Sequence, residues 1–275
     1  MAAHKRTKGE CIFCKKLLTG GGMSKHLKSC SIHEKAVTQT NENVRNKQPE
    51  QRLFHLYIKN ANTSNFWLHL EMNGNATLTE LDKYLRAIWL ECCGHMSHFT
   101  LGNNAWGQEL PMNKKVYQLL EDGMEMTHVY DFGSSTITTI IVSDARWGKP
   151  MTSEPIFLMA RNNMLELLCE HCNKNATWLL QDYNTFDGDE LLCEKHQNDV
   201  MNNEEEEYDE VALIELVNSP RCGVCGYDGP ANTPYQNAQT FWDVPTTEKS
   251  SSASKSKPKK QSKPKKQTGQ QSLFD

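Results

Sequence analysis

Cysteine and histidine at short, regular spacings are the groups in this chain best placed to do chemistry, and that chemistry is metal coordination. Of ten cysteines, six stand in Cys-x2-Cys pairs. Cys11 and Cys14 are followed after eleven intervening residues by His26, and after three more by Cys30. Two thiolates on a tight knuckle can face one ion, and His26 and Cys30 fall on one face of a helix, so the four predict a tetrahedral zinc site. His33 is the spare fourth ligand, at a poorer spacing from His26. Cys169 and Cys172, then twenty residues, then Cys193 and His196 make a second set with the separation of a zinc ribbon or treble clef. His171, inside the first knuckle of that set, is put aside as a ligand. Four protein ligands leave no open coordination position, so both zinc ions are expected to be structural.

Other reactive groups are less regularly spaced. Cys92, Cys93, His95 and His98 crowd one stretch, and Cys222 and Cys225 form half a knuckle without an obvious second half. A Cys or His at a helix end packs and hydrogen-bonds without any metal, so a structural role is expected for the first group. A site joining Cys92, Cys93, Cys222 and Cys225 would lack knuckle spacing on one side. Asp131-Phe132-Gly133 copies the kinase magnesium motif by letters, but no glycine-rich loop, strand lysine or catalytic-loop aspartate precedes it. A non-enzymatic protein is the expectation. The alternative is a metal-dependent enzyme such as a nuclease, using His95, His98 and Asp131.

Charge separates the ends from the middle. Residues 1–47 hold ten Lys and Arg against three acids, and residues 249–275 hold eight Lys against Asp275 alone, within a chain of net charge -4. The body between them is strongly acidic, so contact with a polyanion such as nucleic acid is expected from the ends. Lys15, Lys16, Lys25 and Lys28 on the finger, and Lys259, Lys260, Lys265 and Lys266 in the tail, are the expected phosphate contacts. The tail closes on Gln270-Gln271-Ser272-Leu273-Phe274-Asp275, two apolar residues after a long polar run. Gln-x-Ser-Leu-Phe resembles the peptide by which bacterial proteins dock on the replication sliding clamp, and the start of archaeal clamp-binding peptides. That resemblance implies that Gln270 meets a polar rim while Leu273 and Phe274 fill an apolar pocket. No apolar run reaches membrane-spanning length and no apolar stretch follows the first residues, so a cytoplasmic protein is expected.

The elements that position these groups follow from composition. Residues 1–33 read as a zinc finger with Gly20-Gly21-Gly22 as its turn and Phe13, Leu17 and Leu27 as its small core; residues 34–50 read as a polar linker. Residues 51–161 read as a central α+β domain with a mixed or antiparallel sheet. In it, Phe66, Leu68, Leu70 and Met72 share one face of a strand while His69 and Glu71 lie on the other. Thr77 and Glu80 offer a capping box, after which Leu78, Leu81, Leu85, Ile88 and Trp89 recur at helical spacing towards Gly94. A short helix is expected over 115–121. The stretch 128–142 reads as the spine of the sheet, with a bend or bulge at Gly133, and 156–160 as its closing strand. Residues 162–230 form the zinc-knuckle module, with a strand at Trp178-Leu179-Leu180, a solvated acidic run at 204–210, and 211–217 returning to the sheet. Residues 231–275 read as a disordered basic tail.

One ordered set of motifs carries a family resemblance. It runs from Thr77-Leu78 through Ile88-Trp89-Leu90-Glu91-Cys92-Cys93-Gly94-His95, then Ser97-His98-Phe99, Tyr130-Asp131-Phe132-Gly133-Ser134-Ser135-Thr136 and Met159-Ala160-Arg161-Asn162, to Asn218-Ser219-Pro220-Arg221-Cys222-Gly223-Val224-Cys225-Gly226-Tyr227. Over residues 51–228 this order resembles the plasmid open-reading-frame-three-like family, whose members are also described as passenger proteins of insertion elements. Cys222 departs from the closing block. The resemblance implies a compact α+β fold and an association with mobile DNA, with no agreed biochemical activity. The function expected from residues and resemblance together is a zinc-binding adaptor with two ions, nucleic acid and the sliding clamp as its partners.

Overall fold

The computed structural model describes residues 6–182, 189–202, 211–230, 234–235 and 237–243. In chain order its first elements are β1 (Lys8–Glu10), β2 (Leu17–Thr19), α1 (Gly20–Leu27) and α2 (Ser31–Glu42). The central strands follow: β3 (Gln51–Asn60), β4 (Trp67–Asn73), then α3 (Leu78–Leu85), β5 (Ser97–Leu101), β6 (Glu125–Tyr130), β7 (Thr136–Gly148) and β8 (Ile156–Arg161). Last come β9 (Trp178–Asp182), β10 (Glu190–Leu192), α4 (Glu194–Met201) and β11 (Val211–Glu215). The central sheet is antiparallel throughout, in the order β5-β6-β7-β3-β4-β8. The fold is α+β, as expected, with a six-stranded sheet, a helix packed on one of its faces and cysteine-rich units beside it.

Helix α3 covers one face. Thr77 caps it with a complete capping box, its hydroxyl accepting from Glu80 N–H while the Glu80 carboxylate accepts from Thr77 N–H at 2.6 Å. Leu78, Leu81, Leu85, Ile88 and Trp89 are all at most 1% exposed and pack against Phe54, Leu56, Ile58, Leu68, Leu70 and Met72. At about 1.5–3 kcal/mol for each buried side chain, this stripe outweighs the cap, worth about 1 kcal/mol, in holding the helix to the sheet. The helix does not run on to Gly94. It turns into a five-residue π-helix, Arg86–Leu90, and the chain leaves it at Glu91. The segment expected to be a helix over 115–121 forms only a 3-10 turn, Val116–Gln118.

The spine expected over 128–142 is a hairpin. β6 and β7 pair antiparallel with Tyr130 opposite Thr136, and the turn between them begins at Asp131, whose φ of 67° lies in the left-handed region. Asp131 Oδ1 accepts the Gly133 N–H at 2.9 Å, so the carboxylate stabilises the turn that a continuous strand would not need.

The finger covers the other face. Every residue of β4 is buried, so the side of the strand that carries His69 and Glu71 faces protein and not water. Cys11, Phe13, Met23, Leu27 and Cys30 pack with Trp67, Met151, Met159 and Trp242 in one cluster. The close approach needs a glycine at position 20, where a Cβ would lie 2.7 Å from the Tyr57 hydroxyl. Three expectations are corrected here. Gly20, Gly21 and Gly22 form the first turn of α1 and not a connecting turn; Leu17 is half exposed and outside the small core; and the supposed linker begins as helix α2. Ala36 and Thr40 of α2 are buried, so packing against the rest of the fold stabilises a helix that polar composition alone does not announce.

Strand β11 does not return to the central sheet. It pairs with β9 in a separate antiparallel sheet, β10-β9-β11, beside the second cysteine set. Part of the expected tail is also packed: Phe241 N–H donates to Met151 O, Asn43 donates to Phe241 O, and the Trp242 ring lies 5.1 Å from that of Phe157. These two aromatics are what a polar reading of the tail overlooks. The acidic run at 204–210 and the lysines and closing peptide at 259–275 lie outside the described residues.

Two buried histidines link the finger to the sheet. His69 Nε2–H donates to Gly20 O at 2.9 Å, which leaves Nδ1 to accept from His55 Nε2–H at 2.8 Å. Burial holds His69 down to about 4 against the opposing pull of the Gly20 hydrogen bond, and burial with the neighbouring His69 holds His55 well below the ordinary value. Both are neutral in the folded protein, whereas in the unfolded chain they take up protons below about pH 6.5. This contribution to stability is complete above about pH 6.5 and is lost as pH falls towards about 4. Urea midpoints measured across that interval should therefore fall with pH, and His69→Gln, which keeps a donor for Gly20 O without titrating, should flatten the curve. An unchanged slope in the variant would refute the assignment.

Candidate metal centres

The first centre is built at the junction of β1, β2 and the two helices that follow. Cys11 and Cys14 sit in the turn between the strands, where Lys15 N–H donates to Cys11 O and Cys11 N–H to Lys16 O at 3.1 Å. Lys15 takes a φ of 62° to close it. His26 comes from α1, and Cys30 is the residue that caps α2. His26 and Cys30 do not share one helix as their spacing suggests; α1 ends at Leu27, and the break turns Cys30 inward. All four ligand atoms lie within 4.8 Å of one another, with Cys14 Sγ 3.2 Å from His26 Nε2. His33 is occupied elsewhere: its Nδ1–H donates to Leu27 O at 3.0 Å and its ring stacks on Phe13.

The second centre has the same logic in different elements. Cys169 and Cys172 form a knuckle in which Cys169 N–H donates to Lys174 O, the hairpin β9-β10 follows, and Cys193 and His196 lie at the start of α4. Cys169 Sγ is 3.2 Å from His196 Nδ1, Cys193 Sγ is 3.6 Å from it, and the Cys172 and Cys193 sulfurs are 3.7 Å apart. A tetrahedral cation with metal–sulfur bonds of about 2.3 Å and metal–nitrogen bonds of about 2.0 Å requires donor separations of about 3.5–3.8 Å. The separations of 3.2–3.7 Å come near this in both sets, whose sulfur and imidazole donors suit thiophilic cations. His171 is paired with Glu190 at 3.0 Å and stays outside the set.

The two centres differ in how ready their thiols are. Burial pushes Cys11 up to about 12, so loading the first centre must displace a proton. Cys169 is lowered to about 6: burial opposes ionisation, and His196 with the amides of Cys193, His171 and Cys172 outweighs it.

A third group gathers where sequence spacing points only in part. Cys92, His95 and Cys225 bring their ligand atoms within 4.8 Å of one another, and Cys93 and Cys222 are not among them. Cys222 Sγ lies instead 3.8 Å from Glu215 O. Arg221, fully buried, holds the surroundings together. Its NH2 donates to Asp131 Oδ2 at 2.6 Å, its NH1 to Ser134 O and Thr136 Oγ1, and its Nε to Cys92 Sγ at 3.3 Å. The guanidinium also lies over the Tyr130 ring, 4.8 Å from its centroid. Burial acts to raise the Cys92 thiol, and the hydrogen bonds from Arg221, Tyr130 and Cys93 outweigh it and leave it lowered. The Arg221 ion pair holds the Asp131 carboxyl below the ordinary carboxylate range. Sequence reasoning gives neither Arg221 nor Tyr130 a role; the only signal is the place of both within the motif blocks.

Of the three residues considered for an enzyme, His95 and Asp131 come together, with Nε2 and Oδ2 3.6 Å apart. His98 does not join them. Its Nε2–H donates to Ala105 O at 2.8 Å, and its ring packs against Trp106 and Phe132. Lys15, Lys16, Lys25 and Lys28 are all exposed on the finger, with their charges available to a partner. Among the described residues no helix is long and apolar enough to cross a membrane.

Coordination worth about 10 kcal/mol or more is comparable to the net stability of a whole domain, so a finger with so small a core should not hold its shape once a ligand is removed. Cys14→Ser is expected to lower the metal content by one ion per chain. It should speed amide hydrogen exchange in β1, β2, α1 and the adjoining part of β4, while β9–β11 stay protected; Cys172→Ser should do the converse. Uniform exchange in both variants would show that the centres do not order their own units.

No family model matches the chain, and no curated protein matches it. Among solved structures the chain is similar to a crystal structure of a protein of unknown function from Methanosarcina mazei Go1. The identity is 17% over 38% of this chain and 66% of that chain, with a TM-score of 0.33. The chain thus spans just under two thirds of that relative, and a likeness of this degree carries no argument about function.

Proposed function

We infer that this protein is a non-enzymatic adaptor of the cytoplasm, ordered by two structural zinc ions and associated with mobile DNA. It contacts nucleic acid through its basic ends and docks on the replication sliding clamp through Gln270, Leu273 and Phe274. The observation that carries the reading is the pair of four-ligand centres, each complete within the chain and so without an open position for chemistry. Zinc fits the tetrahedral sets of thiolate and imidazole better than the harder divalent cations, which prefer oxygen. The exposed lysines of the finger support a phosphate contact. The order of motifs over 51–228 supports the passenger-protein reading, and the Gln-x-Ser-Leu-Phe peptide after a lysine-rich stretch supports the clamp.

Binding of a labelled duplex, followed by anisotropy across a salt series, tests the nucleic-acid interface. Replacing Lys15, Lys16, Lys25 and Lys28 by Gln should weaken binding and reduce the salt slope by up to about 3–4, at about 0.9 for each phosphate that is no longer neutralised. Equal affinity and slope would remove the finger from the interface. For the clamp, capture of purified clamp by the intact protein should disappear with Leu273→Ala and Phe274→Ala together, and capture that persists refutes the docking peptide.

A further inference from the structure

We propose that Cys92, His95 and Cys225 form a third metal centre, one that leaves a coordination position open. Their donors are of the same kinds as in the other two centres, two thiols and an imidazole, and their ligand atoms lie within 4.8 Å of one another. They come from separate places in the fold: Cys92 and His95 from the loop that leaves the π-helix after α3, Cys225 from the 3-10 turn Val224–Gly226. Cys92 and His95 share the Cys-x2-His spacing of Cys193 and His196, and the tertiary fold brings Cys225 to them.

Two observations point to a cation there. The His95 Nε2 atom is enclosed by protein and has no hydrogen-bond partner, although the ring is only partly covered. An enclosed imidazole nitrogen without a partner costs free energy, and a bound ion is the partner that two neighbouring sulfurs provide for. The second observation is Arg221. Its Nε–H and NH2 groups lie 3.3 Å from Cys92 Sγ and 3.5 Å from Cys225 Sγ, in the manner of outer groups that orient ligating thiolates and offset their charge. The same guanidinium fixes Asp131, whose Oδ2 borders the site 3.6 Å from His95 Nε2 and 3.9 Å from Cys225 Sγ while Oδ1 holds the turn amide of Gly133.

Three protein ligands leave a tetrahedral cation one position short, and an exposed Cys225 puts that position at the surface. The donor set selects a thiophilic divalent cation such as zinc over magnesium or calcium. The fourth ligand is then a water or a small donor from outside the chain. This separates the centre in kind from the two closed ones, whose reading as structural sites it does not depend on.

The test uses the full chain, purified under reducing conditions and loaded with Zn2+ or Co2+. Metal content should fall by one ion per chain in Cys225→Ser and in His95→Gln, with circular dichroism unchanged. Because the result is a difference between wild type and variant, it stands whatever the occupancy of the other centres. In the Co2+ protein, azide should shift the visible absorption of the wild type and leave Cys225→Ser unaffected. Equal metal content in wild type and both variants overturns the centre, and so does a Cys92–Cys225 disulfide found by mass spectrometry in the reduced, metal-loaded preparation. Absence of an azide shift, with the metal count still lower in the variants, overturns the open position.

Discussion

His55, His69 and Glu71 lie on a face of the central sheet that water does not reach, and this constrains everything packed around them. An unpaired buried polar group costs about 1–3 kcal/mol, and more when charged. The Glu71 carboxylate is met by Arg146 in a two-pronged pair at 2.8 and 2.9 Å. His69 has no partner of that kind within the sheet and finds its acceptor in Gly20 O, on the finger. The finger therefore completes the hydrogen bonding of the sheet as well as covering it. Whatever holds the finger in shape therefore also bears on this face of the sheet, where Cys11 and Cys30 pack in one cluster with Trp67 and Met159.

At the other end of the sheet a single buried cation plays the comparable part. Arg221 joins the β6–β7 turn, the exit of the π-helix and the closing loop, because one guanidinium carries enough donors in a rigid plane to serve all three. Removing it would leave the buried Asp131 carboxylate without its partner, which costs far more than the pair itself contributes. The left-handed backbone at Asp131 and at Cys225 belongs to the same arrangement, since both loops curl around this side chain. Strain there serves the placement of a few polar groups.

The three cysteine-rich groups illustrate different degrees of local information. In the two closed centres a knuckle supplies two ligands from adjacent backbone; the start of α4 supplies the other two in the second, and the last turn of α1 with the start of α2 supplies them in the first. In the group around Arg221 only Cys92 and His95 are local neighbours, and the third ligand, Cys225, comes from a distant turn. Cys222 points to Glu215 O while Cys225, three residues on, turns towards His95.

What the sequence determined by itself was what depends on short-range geometry. Both four-ligand sets, the capping box of α3 and its apolar stripe, and the alternation of β4 were legible because each rests on a spacing that one turn, one helix or one strand enforces. Helix α2 was hidden because its polar residues gain their helix from packing against the finger and the closing segment. The hairpin at Asp131 was hidden because strand-forming composition on both sides of a turn looks like one strand. Tertiary structure alone decided that the finger caps the sheet, that β11 joins a second sheet, and that Arg221 gathers Cys92, His95, Cys225 and Asp131. Such long-range pairings are set by which surfaces can be buried together with every polar group satisfied, and no local periodicity encodes that.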